Sequence, residues 1–447
     1  MELEVDDMKI EKYSEYTYTN IKWLGRLPKH WKAEKGKWLF VKMERPVRPD
    51  DDIVTCFRDG QVTLRINRKT EGFTNALKEH GYQGIRKGDL VIHNMDAFAG
   101  AIGVSDSDGK STPVYSACMP RFNNVNQYYY AYFLRDLAKS GFIESLAKGI
   151  RERSTDFRFI DFGVLDLPLP PKEEQTAIAQ FLDRKTAQID KAIAQKEKLI
   201  ELLKERRQIL IHKAVTRGLN PNVKLKPSGV EWIGEIPEHW EVKRLKFLAT
   251  YFKGNAFSSA DFNSEGIPIV KASNIKKWAI ENITSFIALE NQKRGFESFR
   301  LNQGDIIIST VGSKPEIKES AVGQLAIVNE EYDGSYLNQN TVCIRPIKEA
   351  IDKFYLKCVF TSNYLRNNFD SISLWIANQA YIEIDSILQI AITIPPKEEQ
   401  KLIAEYIEVS ADKIVTTISL KEQEIEKLKE YKATLINSAV TGKIKVC

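Results

Sequence analysis

The sequence predicts an α+β chain built from two mixed α/β bodies and two long helices, arranged as a pseudo-two-fold internal repeat. Three observations lead there. The hexapeptide Pro170-Pro171-Lys172-Glu173-Glu174-Gln175 returns 225 positions later as Pro395-Pro396-Lys397-Glu398-Glu399-Gln400, and the match continues without a gap to Ala214-Val215-Thr216 and Ala439-Val440-Thr441. A second marker, from Trp23-Leu24-Gly25 to Pro28-Lys29-His30-Trp31, reappears from Trp232-Ile233-Gly234 to Pro237-Glu238-His239-Trp240 at an offset of 209. Between the markers the halves barely resemble each other. So long a period excludes a solenoid, whose repeats run roughly 20–50 residues. The change of offset from 209 to 225 puts 16 extra residues into the second half.

In chain order the repeats divide the sequence into a tail (1–19), a first body (20–169), a first helical region (170–218), a linker (219–229), a second body (230–394), a second helical region (395–443) and a tail (444–447). At 447 residues the chain exceeds what one core usually supports. Within each body a Gly-Asp turn feeds an apolar strand, Gly88-Asp89-Leu90-Val91-Ile92-His93 and Gly304-Asp305-Ile306-Ile307-Ile308-Ser309. An aromatic-rich helical stretch follows, from Gln127 to Ala147 and from Lys353 to Asn368. Its residues Tyr129, Tyr130 and Phe133, with Tyr128, are expected to pack on the sheet. Each body then closes on a short extended segment before the double proline.

The helices are legible from what they lack. No proline or glycine falls between Lys172 and Val215 or between Lys397 and Val440. Proline suits the first helical position, acidic residues suit the first turn, and Gly218 and Gly442 supply the stops. Some 42 residues at 1.5 Å each span roughly 63 Å. Apolar residues recur at Ile189, Ile193, Ile200, Leu203, Leu210 and Ala214, answered by Ile414, Ile418, Ile425, Leu428, Leu435 and Ala439. That is a coiled-coil seam, and equal lengths with equivalent seams predict that the two helices pair antiparallel as a spacer. Both seams carry cations at the same places, Lys196 with Lys421 and Arg207 with Lys432, read as register features whose stems snorkel.

Composition narrows the function. Hydrophobic content of 43%, with 28% charged residues, is ordinary for a globular protein. No apolar run approaches a bilayer span, and the acidic start, Met1-Glu2-Leu3-Glu4, is no signal peptide, so a cytoplasmic location is expected. The five cysteines are scattered and never form CxxC, which fits reduced thiols. The net charge of +5 permits a polyanion without demanding one. It is uneven: residues 170–229 carry 13 basic and 7 acidic side chains, and residues 230–394 carry 17 and 20.

Polar loops between the predicted strands hold the residue types that read base edges or grip phosphates. In the first body the candidates are Arg65, Asn67, Arg68, Lys69, Asn94, Arg151, Arg153 and Ser154. In the second they are Thr310, Ser313, Lys314, Asn338, Gln339, Asn340, Asn378 and Gln379. Solubility alone would select the same residue types. His30 and His239 are expected to play a structural part beside Trp31 and Trp240. There is no GxxxxGK[ST] phosphate loop, no Gly-rich nucleotide fingerprint, no HExxH, and no catalytic loop for amino-methylation of a base; Asn220-Pro221-Asn222 lacks the second proline and the aromatic. A self-sufficient enzyme, metal site or bound cofactor is therefore not expected.

Two variable bodies, each preceded by the WxGxxPxHW marker and ended by a PPKEEQ helix start, resemble the specificity subunit of type I restriction-modification systems, from about Asn20 to Lys443. The resemblance implies that the bodies are target recognition domains, each reading one half of a bipartite, asymmetric DNA site. It implies that the helices set the gap and dock two methyltransferase subunits, with restriction and translocase subunits joining them. Catalysis and S-adenosylmethionine would belong to those partners. Two other readings stand beside it: a non-catalytic coiled-coil adaptor, and a stand-alone DNA methyltransferase or nuclease with degenerate motifs.

Overall fold

The computed structural model describes residues 11–21, 23–68, 80–146, 156–276, 278–288, 295–313, 322–376 and 379–446. The long helices run Lys172–Arg217 and Lys397–Val440, 46 and 44 residues. Each ends on a glycine with left-handed backbone, Gly218 at φ 74° and Gly442 at φ 70°. Contacts divide the chain into two compact units. The first comprises Met1–Lys196 with Glu422–Cys447, the second Glu197–Lys421. Each unit therefore holds one body, the opening half of one long helix and the closing half of the other.

The first unit is built on a four-stranded antiparallel sheet in the order Phe40–Lys42, Tyr115–Pro120, Leu90–His93, Ile102–Val104. The helix Gln127–Lys139 packs its aromatic face into the core, and Tyr129, Tyr130 and Phe133 are fully buried. Burying each such ring contributes roughly 1.5–3 kcal/mol. Tyr128 departs from the expectation and is 46% exposed, because it points off the far side of the first helical turn. The strand Lys32–Lys35 pairs with Asp166–Leu169, which leads into the double proline. The body thus closes beside the point where the long helix begins.

The second unit repeats the plan with Ala249–Lys253, Thr341–Pro346, Ile306–Ser309 and Leu325–Ile327 in the same spatial order, all antiparallel. Glu241–Arg244 pairs with Ala391–Ile394 as its closing strands. A further small sheet combines Phe262–Asn263, Phe286–Ile287, Ile267–Val270 and Tyr336–Leu337, and Leu374–Ile376 forms a hairpin with Gln379–Tyr381.

The Gly-Asp turn serves both sheets alike. Asp89 is 1% exposed, accepts the Arg86 backbone N–H at 2.7 Å, and receives Arg45 at 2.5 and 3.0 Å. Asp305 is 2% exposed, accepts the Asn302 N–H at 2.7 Å, and receives Arg345 at 2.9 and 2.7 Å. The aspartate is conserved between the halves while its arginine comes from different places. Arg45 follows the first strand of its sheet, and Arg345 lies within the strand Thr341–Pro346.

Candidate nucleic-acid interface and the helix frame

The repeated hexapeptide works as a joint. Its second glutamate accepts hydrogen bonds from the preceding marker: His30 Nε2 lies 2.6 Å from Glu174 and Trp31 Nε1–H donates at 2.9 Å, while His239 and Trp240 reach Glu399 at 2.7 and 2.9 Å. The histidines are thus tied to the helix start, beyond packing beside tryptophan. The glutamine is buried and donates to the carbonyl of the first proline, Gln175 to Pro170 and Gln400 to Pro395, each at 2.8 Å. Its oxygen accepts the backbone N–H of Asn126 or Asp352, the residue capping the aromatic helix. The lysine donates to a body carbonyl, Lys172 to Val125 and Lys397 to Lys348. Three of the six repeated side chains are thereby accounted for, and the two prolines set the backbone direction.

A reciprocal contact escaped the sequence reading. In the first unit the Tyr129 hydroxyl donates to the Val440 carbonyl at 2.7 Å. In the second, the Tyr355 hydroxyl meets the Val215 carbonyl at 3.2 Å, with Thr393 beside it. Each body thus holds the start of the long helix that follows it and the end of the other one. A tyrosine at equivalent places in the two aromatic helices was the available signal. The first unit adds Tyr13, whose hydroxyl donates to Glu174 at 2.8 Å. Burial alone would raise the Glu174 carboxyl, but the hydrogen bonds from Trp31, Tyr13 and His30 outweigh it and hold the group below the ordinary glutamate range.

The candidate reading residues fall into clusters. In the first unit Arg65, Asn67 and Arg68 occupy one turn after the hairpin Val54–Cys56/Val62–Leu64. Arg65 donates to Thr55 at 3.3 Å and Asn67 to Thr63 at 2.8 Å. Arg68 pairs with Asp59 at 2.8 Å and lies over the Phe57 ring. The side chains are therefore pre-positioned by the hairpin rather than splayed into solvent. Arg58 at the hairpin tip pairs with Asp96 at 2.9 Å, joining this turn to the loop after Leu90–His93. Asn94 lies in that loop but is only 7% exposed, accepts the Ser116 hydroxyl at 2.9 Å, and donates its N–H to Val114. Its engaged oxygen faces the core, so Asn94 organises the loop from inside.

In the second unit Thr310, Ser313, Asn340 and Gln379 gather at one end of the main sheet. The Thr310 N–H donates to Asn340 and its carbonyl accepts from Ile382, both at 2.9 Å, while Val311–Gly312 pairs with Ala380–Tyr381. Asn338 is partly buried and accepts the Gln339 N–H at 2.8 Å; Gln339 and Asn340 are exposed. Asn340 has φ 66°, a left-handed backbone that asparagine tolerates well. The two clusters differ in kind: guanidinium groups in the first unit, amides and hydroxyls in the second. Lys69, Arg151, Arg153, Ser154, Lys314 and Asn378 lie outside the described residues.

The seam residues are unevenly buried. Ile189, Ile200, Ile425 and Leu435 are buried, and Ile193 and Leu428 pack at the edge of the first unit's core. Leu203, Leu210, Ile414 and Ile418 are partly exposed in the second unit. In the first unit the seam cations do more than snorkel: Lys196 pairs with Glu424, and Lys432 with Asp190 at 2.6 Å, fixing the helices antiparallel. No helix among the described residues is long and apolar enough to cross a membrane.

Comparison with known proteins agrees with this frame. Residues 237–430 match the family described as type I restriction modification DNA specificity domain. The chain is 29% identical over 308 residues to the MjaVIII type I restriction enzyme specificity subunit of Methanocaldococcus jannaschii, covering 69% of this chain and 68% of that one. It is 24% identical over 281 residues to the EcoKI specificity subunit of Escherichia coli, covering 62% and 57%. Among solved structures, a chain from a study of complex assembly and conformational transition of the type I R-M system superposes with a TM-score of 0.70 at 15% identity, over 93% of this chain and 98% of that one. The HsdS subunit from Thermoanaerobacter tengcongensis superposes with a TM-score of 0.55 at 16% identity and the same coverage. With the duplicated joint, the paired helices and two sheets of one topology, the chain is similar to type I restriction-modification specificity subunits and shares the fold of the solved ones.

Proposed function

We propose that this chain is the DNA sequence-recognition subunit of a type I restriction-modification complex. Each body reads one half of a bipartite, asymmetric site, and the long helices set the unread gap and dock methyltransferase subunits. Methyl transfer and S-adenosylmethionine belong to those subunits, DNA translocation and cleavage to the restriction subunits, and this chain performs no catalysis of its own. The observation that carries the reading is the contrast between frame and loops. The joint of marker and helix start repeats its tryptophan–glutamate and glutamine–backbone hydrogen bonds in both units. The loops at the ends of the sheets present different chemistry, with Arg65 and Arg68 on one side and Thr310, Asn340 and Gln379 on the other. Such a division suits one machine applied to two unlike half-sites, because base contacts specify while shared contacts position.

The test is co-expression with a type I methyltransferase subunit from the source organism, followed by methylome sequencing. A single split motif is expected, with its halves altered independently by Arg68→Ala and by Gln379→Ala. Modification at unsplit or unrelated sequences would overturn the reading, as would methyl transfer by this chain alone.

A further inference from the structure

The hairpin tip of the first unit, Phe57 to Gln61, is held by its neighbours. Gly60 takes φ 91°, and a Cβ there would strike the Arg135 guanidinium, which donates to the Asp59 carbonyl at 3.0 Å. The Asp59 carboxylate accepts the Gln61 N–H at 3.0 Å. A Cβ on Gly100 would stand 2.8 Å from the Arg58 carbonyl oxygen, so the tip and the loop after Leu90–His93 touch backbone to backbone. In that loop the Asp96 N–H donates to the His93 carbonyl at 3.0 Å and lies 3.1 Å from His93 Nδ1. Two carboxylates are thereby fixed in place, and each takes one arginine by a corner. Asp96 engages Arg58 through Nη2, at 2.9 Å. Asp59 engages Arg68 through Nη1, at 2.8 and 3.0 Å. The rest of each guanidinium meets no acceptor among the described residues. Arg58 is 66% exposed and Arg68 35%, and the Phe57 ring, 4.2 Å below Arg68, sets the plane of that guanidinium.

We propose that Asp96 and Asp59 are positioning residues that aim Arg58 and Arg68 at guanine, one base for each arginine, in the half-site read by the first unit. A guanidinium held by one corner keeps two parallel N–H groups for a pair of acceptors. Guanine is the one base that presents two acceptors, O6 and N7, in the major groove. The pairs themselves add little to stability, because exposed ion pairs rarely do. Their effect is on orientation and on choice of partner. A phosphate approaching either arginine also meets a carboxylate within hydrogen-bond distance of it, so the DNA backbone gains less there than a neutral base edge does. The reading cluster of the second unit is of another kind, since Thr310, Ser313, Asn340 and Gln379 carry no charge. The inference rests on the recognition reading above. It adds the base that the first unit selects, and the two acidic side chains that make its arginines selective.

The experiment uses the full chain with a type I methyltransferase subunit from the source organism, and reads both the methylome and the affinity of the complex for cognate and unrelated DNA. Arg58→Ala should relax selection at one G·C pair of a half-motif and Arg68→Ala at another pair of the same half, each lowering the preference for guanine about fivefold or more. Asp96→Asn should relax the same pair as Arg58→Ala, and Asp59→Asn the same pair as Arg68→Ala. Both asparagine variants should bind unrelated DNA several-fold more tightly than wild type, because the arginines are then open to phosphates. Aspartates that served only the fold would weaken cognate and unrelated binding alike, and that result would overturn the proposal. Combining Asp96→Asn with Arg58→Ala should relax the motif no further than Arg58→Ala alone, since the carboxylate acts through its arginine. Arg58→Lys keeps the charge without the fork, and guanine selection that survived it would overturn the proposal even where an asparagine variant failed to fold. A split motif with no G·C pair at the positions the arginines control would do the same and leave the recognition reading intact. A wild-type complex that modifies no split motif would overturn the recognition reading and this proposal with it.

Discussion

In the first unit Leu435, Ile436 and Ala439 of one long helix are buried in the same core as Ile189 of the other, and two ion pairs close the seam between them. In the second unit Ile414 and Leu210, the counterparts of Ile189 and Leu435, are only partly buried beside a groove, with Val415 where the first unit has Asp190. The same heptad spacing has produced a tighter helix pair in one place and a more open one in the other. Spacing decides which side chains face the partner helix, but the residues beside the seam decide whether that face is finished. A repeat read from sequence is thus a repeat of geometry before it is a repeat of surface.

The largest effects should come where the units are most alike. Replacing Asp89 or Asp305 with alanine takes the buried acceptor from a partly exposed arginine and from a backbone N–H, and each change is expected to cost about 3–4 kcal/mol. Urea unfolding, with hydrogen exchange to show which unit opens, should give similar losses for the two. A difference above about 2 kcal/mol would mean that Arg45 and Arg345 are not equivalent clamps. Next comes the joint. Glu174→Ala removes the acceptor of three side chains and Glu399→Ala that of two, so losses of about 3 and about 2 kcal/mol are expected. Equal losses would remove Tyr13 from the joint.

Acid should expose the same joint. The folded-state value of Glu174 is held below the ordinary 4.5, so its contribution is complete above that pH and disappears as pH falls through the lowered value. Glu174→Gln should flatten the acid limb of the stability profile, read by melting temperature between roughly pH 3 and 6. An unchanged limb would contradict the assignment. The smallest effect should separate the tyrosines. Tyr129→Phe strips the Val440 carbonyl of its hydroxyl donor and should cost about 1 kcal/mol. Tyr355→Phe should cost about half that, because Thr393 also donates to Val215 at 2.5 Å. Equal costs would argue that Thr393 gives no relief.

Much of the frame was legible in advance. The absence of proline and glycine, the double proline and the terminal glycines located both long helices, and the end of the first was misplaced only by the two residues Thr216 and Arg217. The heptad seam predicted helix pairing. Sequence comparison of the bodies concealed their common sheet, since antiparallel strand order is fixed by backbone pairing and tolerates almost any alternation of apolar residues. The burial of Asn94 was hidden for a similar reason. A polar residue after a strand can face solvent or cap its own loop, and only the position of Ser116 distinguishes the two. The joint's chemistry was hidden because Glu174 and its donors His30 and Trp31 lie more than 140 positions apart.

The division of the chain into units has a consequence for its synthesis. The second unit is one uninterrupted stretch, Glu197–Lys421, and every residue it needs has left the ribosome once that stretch has emerged. The first unit needs Glu422–Cys447, because Tyr129 waits for Val440 and the core around Ile189 waits for Leu435 and Ala439. Its body is translated first and finished last. Until then an apolar face meant for the closing helix stays uncovered, through the time needed to make the whole second body. At about 5–20 residues per second that interval lasts on the order of ten seconds to a minute. The amino-terminal half is therefore the part of this chain most in need of a chaperone.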